Sequence, residues 1–387
     1  MAMYTLSPKL AAESAAYAYA SRLATRDTVG EDAPPILDRD FDFSGNLIQG
    51  VSGTLLERLF NHKTGFGVIG RGRPNSPYAN HHIVAIRGTA SGRDAVTDLH
   101  CGVTNGPNNK RIHAGFNHNF RSMKSNLTSY FSAPGIKLGP VHCVGHSLGG
   151  ALANLTANWL RANYHVPVSV YTFGAPRVGR KDYANSTQGE MENIYRCVHG
   201  ADPVPMVPVW PFVHAGADYR LDGARGINPA AHKMDGYIEN AGRFNDYTQM
   251  HIDSVGKQLT PVRLKYSDRH QVSFSVYWQE RISNALITLL KDAGFYTAVV
   301  AQAAIGTTLT IYDVIAQKLE DIARMSPVYA EQELGLLGCM LTFAGNKKAV
   351  KAADLTYTFI RWVLRLTLER LFKSAKSAIQ IASAVPA

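Results

Sequence analysis

A serine hydroxyl becomes a nucleophile when an imidazole takes its proton and a carboxylate orients that imidazole. The chain holds a serine in the local setting such chemistry requires. Gly145-His146-Ser147-Leu148-Gly149 matches the pattern G-x-S-x-G. A strand-like run, Val141 to Val144, precedes it and a helical pattern follows. The flanking glycines then permit a tight strand-to-helix turn that lifts the Ser147 hydroxyl into the open. Gly149, Gly150, Ala151 and Ala153 keep the following helix close to the sheet.

In sites built on such a turn, the carboxylate and the imidazole follow the serine in that order along the chain. The stretch IYRCVHGADPVP ends a strand and drops into a Pro-rich loop, which places Asp202 beyond a strand's C-terminal end. Catalytic groups of open α/β sheets gather at that edge. Asp218, Asp222 and Asp235 are the alternatives, and none directly follows an apparent strand. Four histidines follow Asp202: His214, His232, His251 and His270. His232 is the preferred base, because HKMDGY reads as a short helix after a loop and a loop-to-helix junction can carry a side chain over the sheet edge. His214 lies close to Trp210 and Phe212 and reads as part of a pocket wall; His251 and His270 read as surface or structural. The tetrahedral oxyanion needs two donors. One is the amide of Leu148, directly after the nucleophile. The other is expected from Thr89, after the strand end in IVAIRGTAS, although a threonine there also suits an ordinary polar turn. Chemistry of this kind needs neither metal nor cofactor.

The elements that must position these groups are legible in outline. Phe66 to Ile69, Ile83 to Ile86, Val141 to Val144, Val168 to Phe173 and Ile194 to Val198 read as buried strands. Residues near 112–132 and 148–163 read as helices. Near-continuous apolar strands joined through helices imply an α/β fold whose mostly parallel sheet is covered on both faces. Proline marks the end of this region: 16 of the 18 prolines lie at or before Pro261, and none of the 14 histidines lies beyond His270. A long, nearly proline-free helical segment follows, with the junction between 252 and 275. The expected domains are 1–255 and 256–387. In the second, Ala293 to Tyr312 is an uncharged run that reads as a helix buried in protein. Leu355 to Phe372 is broadly apolar, with Arg361, Arg365 and Glu369 on one helical face, extended by Lys373 and Lys376.

With 387 residues, 45% of them hydrophobic and 18% charged, the chain buries a sizeable core and is not disordered in the main. Its net charge of +10 is unevenly spread. From Ala344 onward there are eight basic and two acidic residues, a net +6. That distribution argues against a nucleic-acid binder with a basic main domain. For the 355–376 segment it leaves open an anionic membrane surface, an acidic partner, docking on the main domain, or a solvated basic helix. Cys101, Cys143, Cys197 and Cys339 are too few and too scattered for a disulfide framework or a metal site, so a reducing compartment of synthesis is expected. Met1 to Ala20 has no cationic start followed by an apolar run, so no cleavable signal peptide is expected; export, if it occurs, would be leaderless.

Taken together, the ordered motifs IVAIRGTASGRDAVTDL, IHAGF, VGHSLGGALA, YTFGAPRVG, VHGADPVP, FVHAGADYRL and HKMDGY resemble the class 3 lipases, the family of the fungal triacylglycerol lipases. The resemblance runs from about residue 10 to 245. It implies an α/β-hydrolase fold to which a C-terminal helical region is added. It also implies Ser147 as nucleophile, Asp202 as orienter, His232 as base, and Thr89 with Leu148 in the oxyanion hole. The segment Ser91, Gly92, Arg93, Asp94, Ala95 and Val96 corresponds to the family's lid. Ala95 stands where family lids commonly carry an aromatic residue, so weak interfacial activation is expected. The implied activity is hydrolysis of lipid esters through an acyl-enzyme, by a lipase or phospholipase A. Two alternatives remain: an esterase for small soluble esters, and a membrane-binding or pore-forming protein on a hydrolase scaffold. Class 3 lipase domains also occur in bacterial membrane-attacking effectors, in which case an inhibitor or delivery protein would be a partner.

Overall fold

Runs of β-branched and aromatic residues with few charges form the centre of a mixed sheet, because strands buried on both faces cannot alternate polar with apolar. In a computed structural model, the chain is described over residues 4–51, 63–88, 102–224, 226–253, 261–302 and 311–383. It divides into two units. One comprises Met1–Gly223, Asn228–Val255 and Ala375–Ala387; the other comprises Ala224–Ile227 and Gly256–Ser374.

The first unit is built on a nine-stranded sheet. Five parallel strands make its middle: β4 (His82–Ile86), β7 (Val141–His146), β8 (Val168–Phe173), β9 (Asn193–Val198) and β10 (Asp218–Arg220). Antiparallel strands close both sides. Beside β4 lies β3 (Lys63–Gly72), which pairs with β1 (Phe41–Asp42) and β2 (Leu47–Val51); beside β10 lies β11 (His251–Asp253). A separate two-stranded ribbon joins β5 (Val103–Asn105) to β6 (Arg111–His113). The five strand runs expected from the sequence are all present. The remaining strands are short or lie at edges, where no continuous apolar run marks them. Because β10 starts at Asp218, Asp222 does sit just past a strand end, contrary to the expectation from sequence.

Two sets of helices cover the sheet. α1 (Pro8–Tyr17) and α5 (Met234–Ala241) lie on the face where Ile83, Ala85, Val144, Tyr171 and Phe173 are packed. α2 (Ala114–Phe131) and α3 (Leu148–Tyr164) lie on the other, and α4 (Lys181–Glu190) follows β8. α3 packs so closely that a Cβ added at Gly149 would lie 2.1 Å from the Ile86 carbonyl oxygen. Cys143 and Cys197 are free and buried in this core, and Cys339 is free and buried in the second unit. Cys101 lies outside the described residues.

The second unit is helical: α6 (Val276–Asp292), α7 (Tyr296–Gln302), α8 (Ile311–Met325), α9 (Pro327–Phe343) and the first two-thirds of α10 (Tyr357–Ser383). Ser275 and Ser326 cap α6 and α9 by accepting the amides of Trp278 and Tyr329. α9 is apolar on nearly every side and sits in the core of the unit, with Leu336, Leu337, Cys339 and Leu341 at most 1% exposed. Among the described residues, no helix is long and apolar enough to cross a membrane. The uncharged run Ala293 to Tyr312 is described only in part: it contains α7, and residues 303–310 lie outside the described set.

Glu333 of α9 is wholly buried, and neither carboxyl oxygen has a hydrogen-bond partner among the described residues. Burial, reinforced by Glu320, pushes its pKa up to about 8. An acid whose folded pKa exceeds its unfolded one binds more protons when folded. It therefore destabilises the fold progressively as pH rises from the ordinary glutamate range to about 8. Glu333→Gln removes that dependence. Thermal unfolding should show the variant gaining stability over the parent between pH 5 and pH 8, with the gain growing as pH rises over the interval set by the two pKa values; a gain independent of pH would show that Glu333 is not ionising there.

Candidate active site

The chain reverses direction at Ser147, between the last residue of β7 and the first of α3. Its backbone adopts φ 57°, ψ −131°, a region that costs a non-glycine residue roughly 1–3 kcal/mol. The turn is pinned on both sides. The Ser147 amide donates to the Phe173 carbonyl at 2.9 Å, and the Ser147 carbonyl accepts the Gly150 amide at 3.0 Å. The result is a serine carried at the C-terminal end of the parallel strands, on a backbone that its neighbours hold in place.

His232 Nε2 lies 2.8 Å from Ser147 Oγ, and His232 Nδ1 lies 2.7 Å from Asp202 Oδ2. The side chains of His232 and Asp202 are fully buried. Asp202 leaves the end of β9 as the sequence implied; His232 closes a 3-10 turn, Pro229–His232, rather than opening the helix. Three donors meet the Asp202 carboxylate: His232 Nδ1, the Val204 amide on Oδ1 at 2.8 Å, and the Tyr237 hydroxyl on Oδ2 at 2.7 Å. Burial, with Asp202 beside it, pushes the Tyr237 hydroxyl well above its ordinary pKa, so it remains a donor. Gly174 makes room for this cluster. It has φ 57°, and a Cβ there would come within 2.6 Å of Asp202 Oδ2 and 2.9 Å of His232 Nδ1.

The loop that carries His232 is held by two further histidines. His146 Nε2 donates to the His232 carbonyl at 2.9 Å, and His199 Nδ1 donates to the neighbouring Ala231 carbonyl at 2.7 Å. Burial, then the proximity of His232, holds His146 well below the ordinary imidazole range and hence neutral. A carbonyl accepts only, so the single His146 proton resides on Nε2. Nδ1 then accepts from the Tyr19 hydroxyl, 2.7 Å away. His199 also stacks on Tyr237 with ring centroids 4.0 Å apart, and its Nε2 accepts from the Asn240 amide at 3.1 Å.

The other residues read as candidates have identifiable places. Leu148 is the first residue of α3, where a backbone amide has no intrahelical acceptor. The end of β4 leads to Gly88, which abuts Ser147: an added Cβ would lie 3.1 Å from Ser147 Cβ. Thr89 and the segment Ser91, Gly92, Arg93, Asp94, Ala95 and Val96 lie outside the described residues. His214 is partly buried and donates Nε2 to the Pro205 carbonyl at 2.8 Å. Asp218 forms an ion pair with Arg196, Asp222 accepts the Gly200 amide at 2.7 Å, and Asp235 is exposed on α5. His251 starts β11, and His270 is exposed in the second unit.

Sequence reasoning passed over Tyr237, Gly174, His146, His199 and Tyr19. Tyr237 and Gly174 stand inside the motifs HKMDGY and YTFGAPRVG, and His146 is the middle residue of Gly145-His146-Ser147. Tyr19 had no local signal, being 127 residues before His146.

Residues 83–212 match the sequence model of the family Lipase (class 3). Over 153 residues the chain is 33% identical to the Secreted mono- and diacylglycerol lipase 1 of Fusarium solani, covering 36% of this chain and 44% of that protein. It is 42% identical over 76 residues to Toxin TseL of Vibrio cholerae, covering 19% and 12% of the two chains. It is also 34% identical over 154 residues to the Lipase of Rhizopus niveus, covering 35% and 37%. The chain thus spans less than half the length of these curated relatives. Among solved structures, an MDLA mutant from Penicillium cyclopium aligns with a TM-score of 0.43 at 21% identity, covering 64% of this chain and 84% of that one.

Tyr237→Phe removes one donor to a buried carboxylate, together with the acceptor of the His199 amide 3.2 Å away. A charge-assisted hydrogen bond is worth about 1.5–3 kcal/mol, so kcat on a soluble ester should fall roughly ten- to a hundredfold with KM nearly unchanged. Unaltered kcat in steady-state kinetics would show that the hydroxyl does not help to hold the carboxylate.

Proposed function

The chain belongs to the class 3 lipase family through residues 83–212, and on that premise we propose that it is a serine hydrolase of lipid esters working through an acyl-enzyme. One observation carries the reading: the unbroken hydrogen-bonded series from Ser147 Oγ through His232 to Asp202, at 2.8 and 2.7 Å. Ser147 Oγ attacks the acyl carbonyl carbon as His232 Nε2 accepts the hydroxyl proton. The imidazolium so formed is stabilised by Asp202, and the oxyanion is held by the Leu148 amide together with Thr89. His232 then returns the proton to the departing alcohol, which leaves Ser147 acylated. Water attacks the acyl group, again giving a proton to His232, and the fatty acid departs as Ser147 recovers its proton.

The substrate is a phospholipid, cut as by a phospholipase A. What supports this is the net +6 carried from Ala344 onward, which favours surfaces of anionic lipid, and contact through 355–376 is part of the same reading. The 76-residue similarity to Toxin TseL supports a toxin whose action is lipid hydrolysis, and with it a delivery or inhibitor protein as partner.

The reading is tested by incubating the wild type and Ser147→Ala with mixed anionic phospholipid liposomes and following fatty acid and lysolipid by mass. The variant should be slower by about 10⁴ or more, and the products identify the bond cut. Turnover of a short soluble ester with no release from liposomes would make the chain an esterase instead. Vesicle leakage by Ser147→Ala at the wild-type rate would assign the action to the helical region.

A further inference from the structure

The surface of α10 carries a feature that the hydrolytic chemistry does not use. One side of the helix is filled: Ile360, Val363, Leu364 and Leu371 are at most 3% exposed. Thr367 Oγ1 donates to the Met340 carbonyl of α9, and Arg361 pairs with the buried Asp313 of α8. The apolar stripe is therefore consumed inside the second unit and is not available to lipid.

What reaches solvent is the opposite side. Arg361, Trp362 and Arg365 are exposed on α10, and Lys347, Lys348 and Lys351 are exposed in the loop before it. Lys348 Nζ sits 5.0 Å from the Phe359 ring centroid and 5.6 Å from that of Trp362. Those contacts hold the loop beside the first turns of the helix and gather the cations around one tryptophan, which is 38% exposed. Arg361 and Arg365 are partly neutralised, by Asp313 and by Glu369. Asp354 accepts the Lys351 backbone amide, while among the described residues no carboxylate pairs with the ammonium groups of Lys347, Lys348 or Lys351.

We infer that this basic and aromatic platform docks the protein on the surface of an anionic phospholipid bilayer. The lysines meet lipid phosphates, and Trp362 settles at the depth of the head groups. The inference rests on the proposed lipid-hydrolase function, since a bilayer is where the ester to be cut lies, and it assigns the contact to particular residues. Charge complementarity favours the partner, because each Lys or Arg near an anionic leaflet is attracted to it. Tryptophan suits it too, because an amphipathic ring prefers the boundary between water and hydrocarbon. A nucleic-acid track would call for cations spaced evenly along a stripe, whereas here the loop lysines lie beside Trp362, and Glu369 separates them from Lys373 and Lys376 further along the helix.

The test uses the full chain carrying Ser147→Ala, so that binding is read without turnover. Its co-sedimentation is measured with phosphatidylcholine vesicles and with vesicles that also contain phosphatidylglycerol. Binding should appear with phosphatidylglycerol only and weaken with added salt. The triple change Lys347→Glu, Lys348→Glu, Lys351→Glu should lower partitioning at least about tenfold. Trp362→Ala should lower it as well, with the unfolding temperature of both variants unchanged. Equal binding to the two vesicle types would overturn the inference. So would undiminished binding by the charge-reversed protein, or tighter lysine-dependent binding to a short DNA duplex. Normal binding by Ser147→Ala beside no fatty-acid release by the intact chain would support docking while removing the hydrolase reading, so the two fail separately.

Discussion

A carboxylate removed from water costs several kcal/mol unless hydrogen bonds replace the solvent it loses. Asp202, whose side chain is fully buried, is that carboxylate here, and much of the first unit can be understood as meeting its requirement. The loop after β9 turns so that the Val204 amide faces one oxygen. α5 packs where Tyr237 reaches the other. The backbone at Gly174 leaves the space in which the third donor, His232 Nδ1, can approach. Removing any one of these would leave a buried charge short of a partner. The imidazole is thus oriented by the same bonds that make the carboxylate tolerable inside the protein.

That orientation is relayed outward. His232 would be of little use on a loose loop, and its own carbonyl and that of Ala231 are both held, by His146 and His199. His146 can donate there only while it stays neutral, which its burial ensures. The Tyr19 hydroxyl keeps its proton and donates a hydrogen bond to His146 Nδ1, which fixes the tautomer. Ser147, His232 and the groups behind them are in this way joined by one connected series of hydrogen bonds around the Asp202 carboxylate.

How far this was legible in the sequence depended on whether a residue's role is local. Ser147 announces itself, because the strained turn demands small neighbours within two residues. The five buried strand runs are legible because burial on both faces excludes charge. The strand β10 is not: Asp218-Tyr219-Arg220 has charged ends, and only its pairing with β9 and β11 makes it a strand. Tyr237 was missed because its spacing from His232 is set by where α5 docks. Tyr19 was missed because the 3-10 turn after α1, Ala18–Arg22, delivers it from the far end of the unit's sequence. In the second unit the periodicity of α10 revealed an amphipathic helix, but not which side would be covered. That depended on Met340 and Asp313, supplied by other helices.

The central claim is that Ser147 is a nucleophile made reactive by His232 and Asp202. It is tested most directly by reacting the full chain with a fluorophosphonate, which forms a bond from phosphorus to an activated serine oxygen as fluoride leaves, and measuring intact and peptide masses. One adduct per chain is expected, on Ser147, with labelling at least about a hundredfold slower in His232→Ala. Labelling at another serine, or an undiminished rate in His232→Ala, would contradict it.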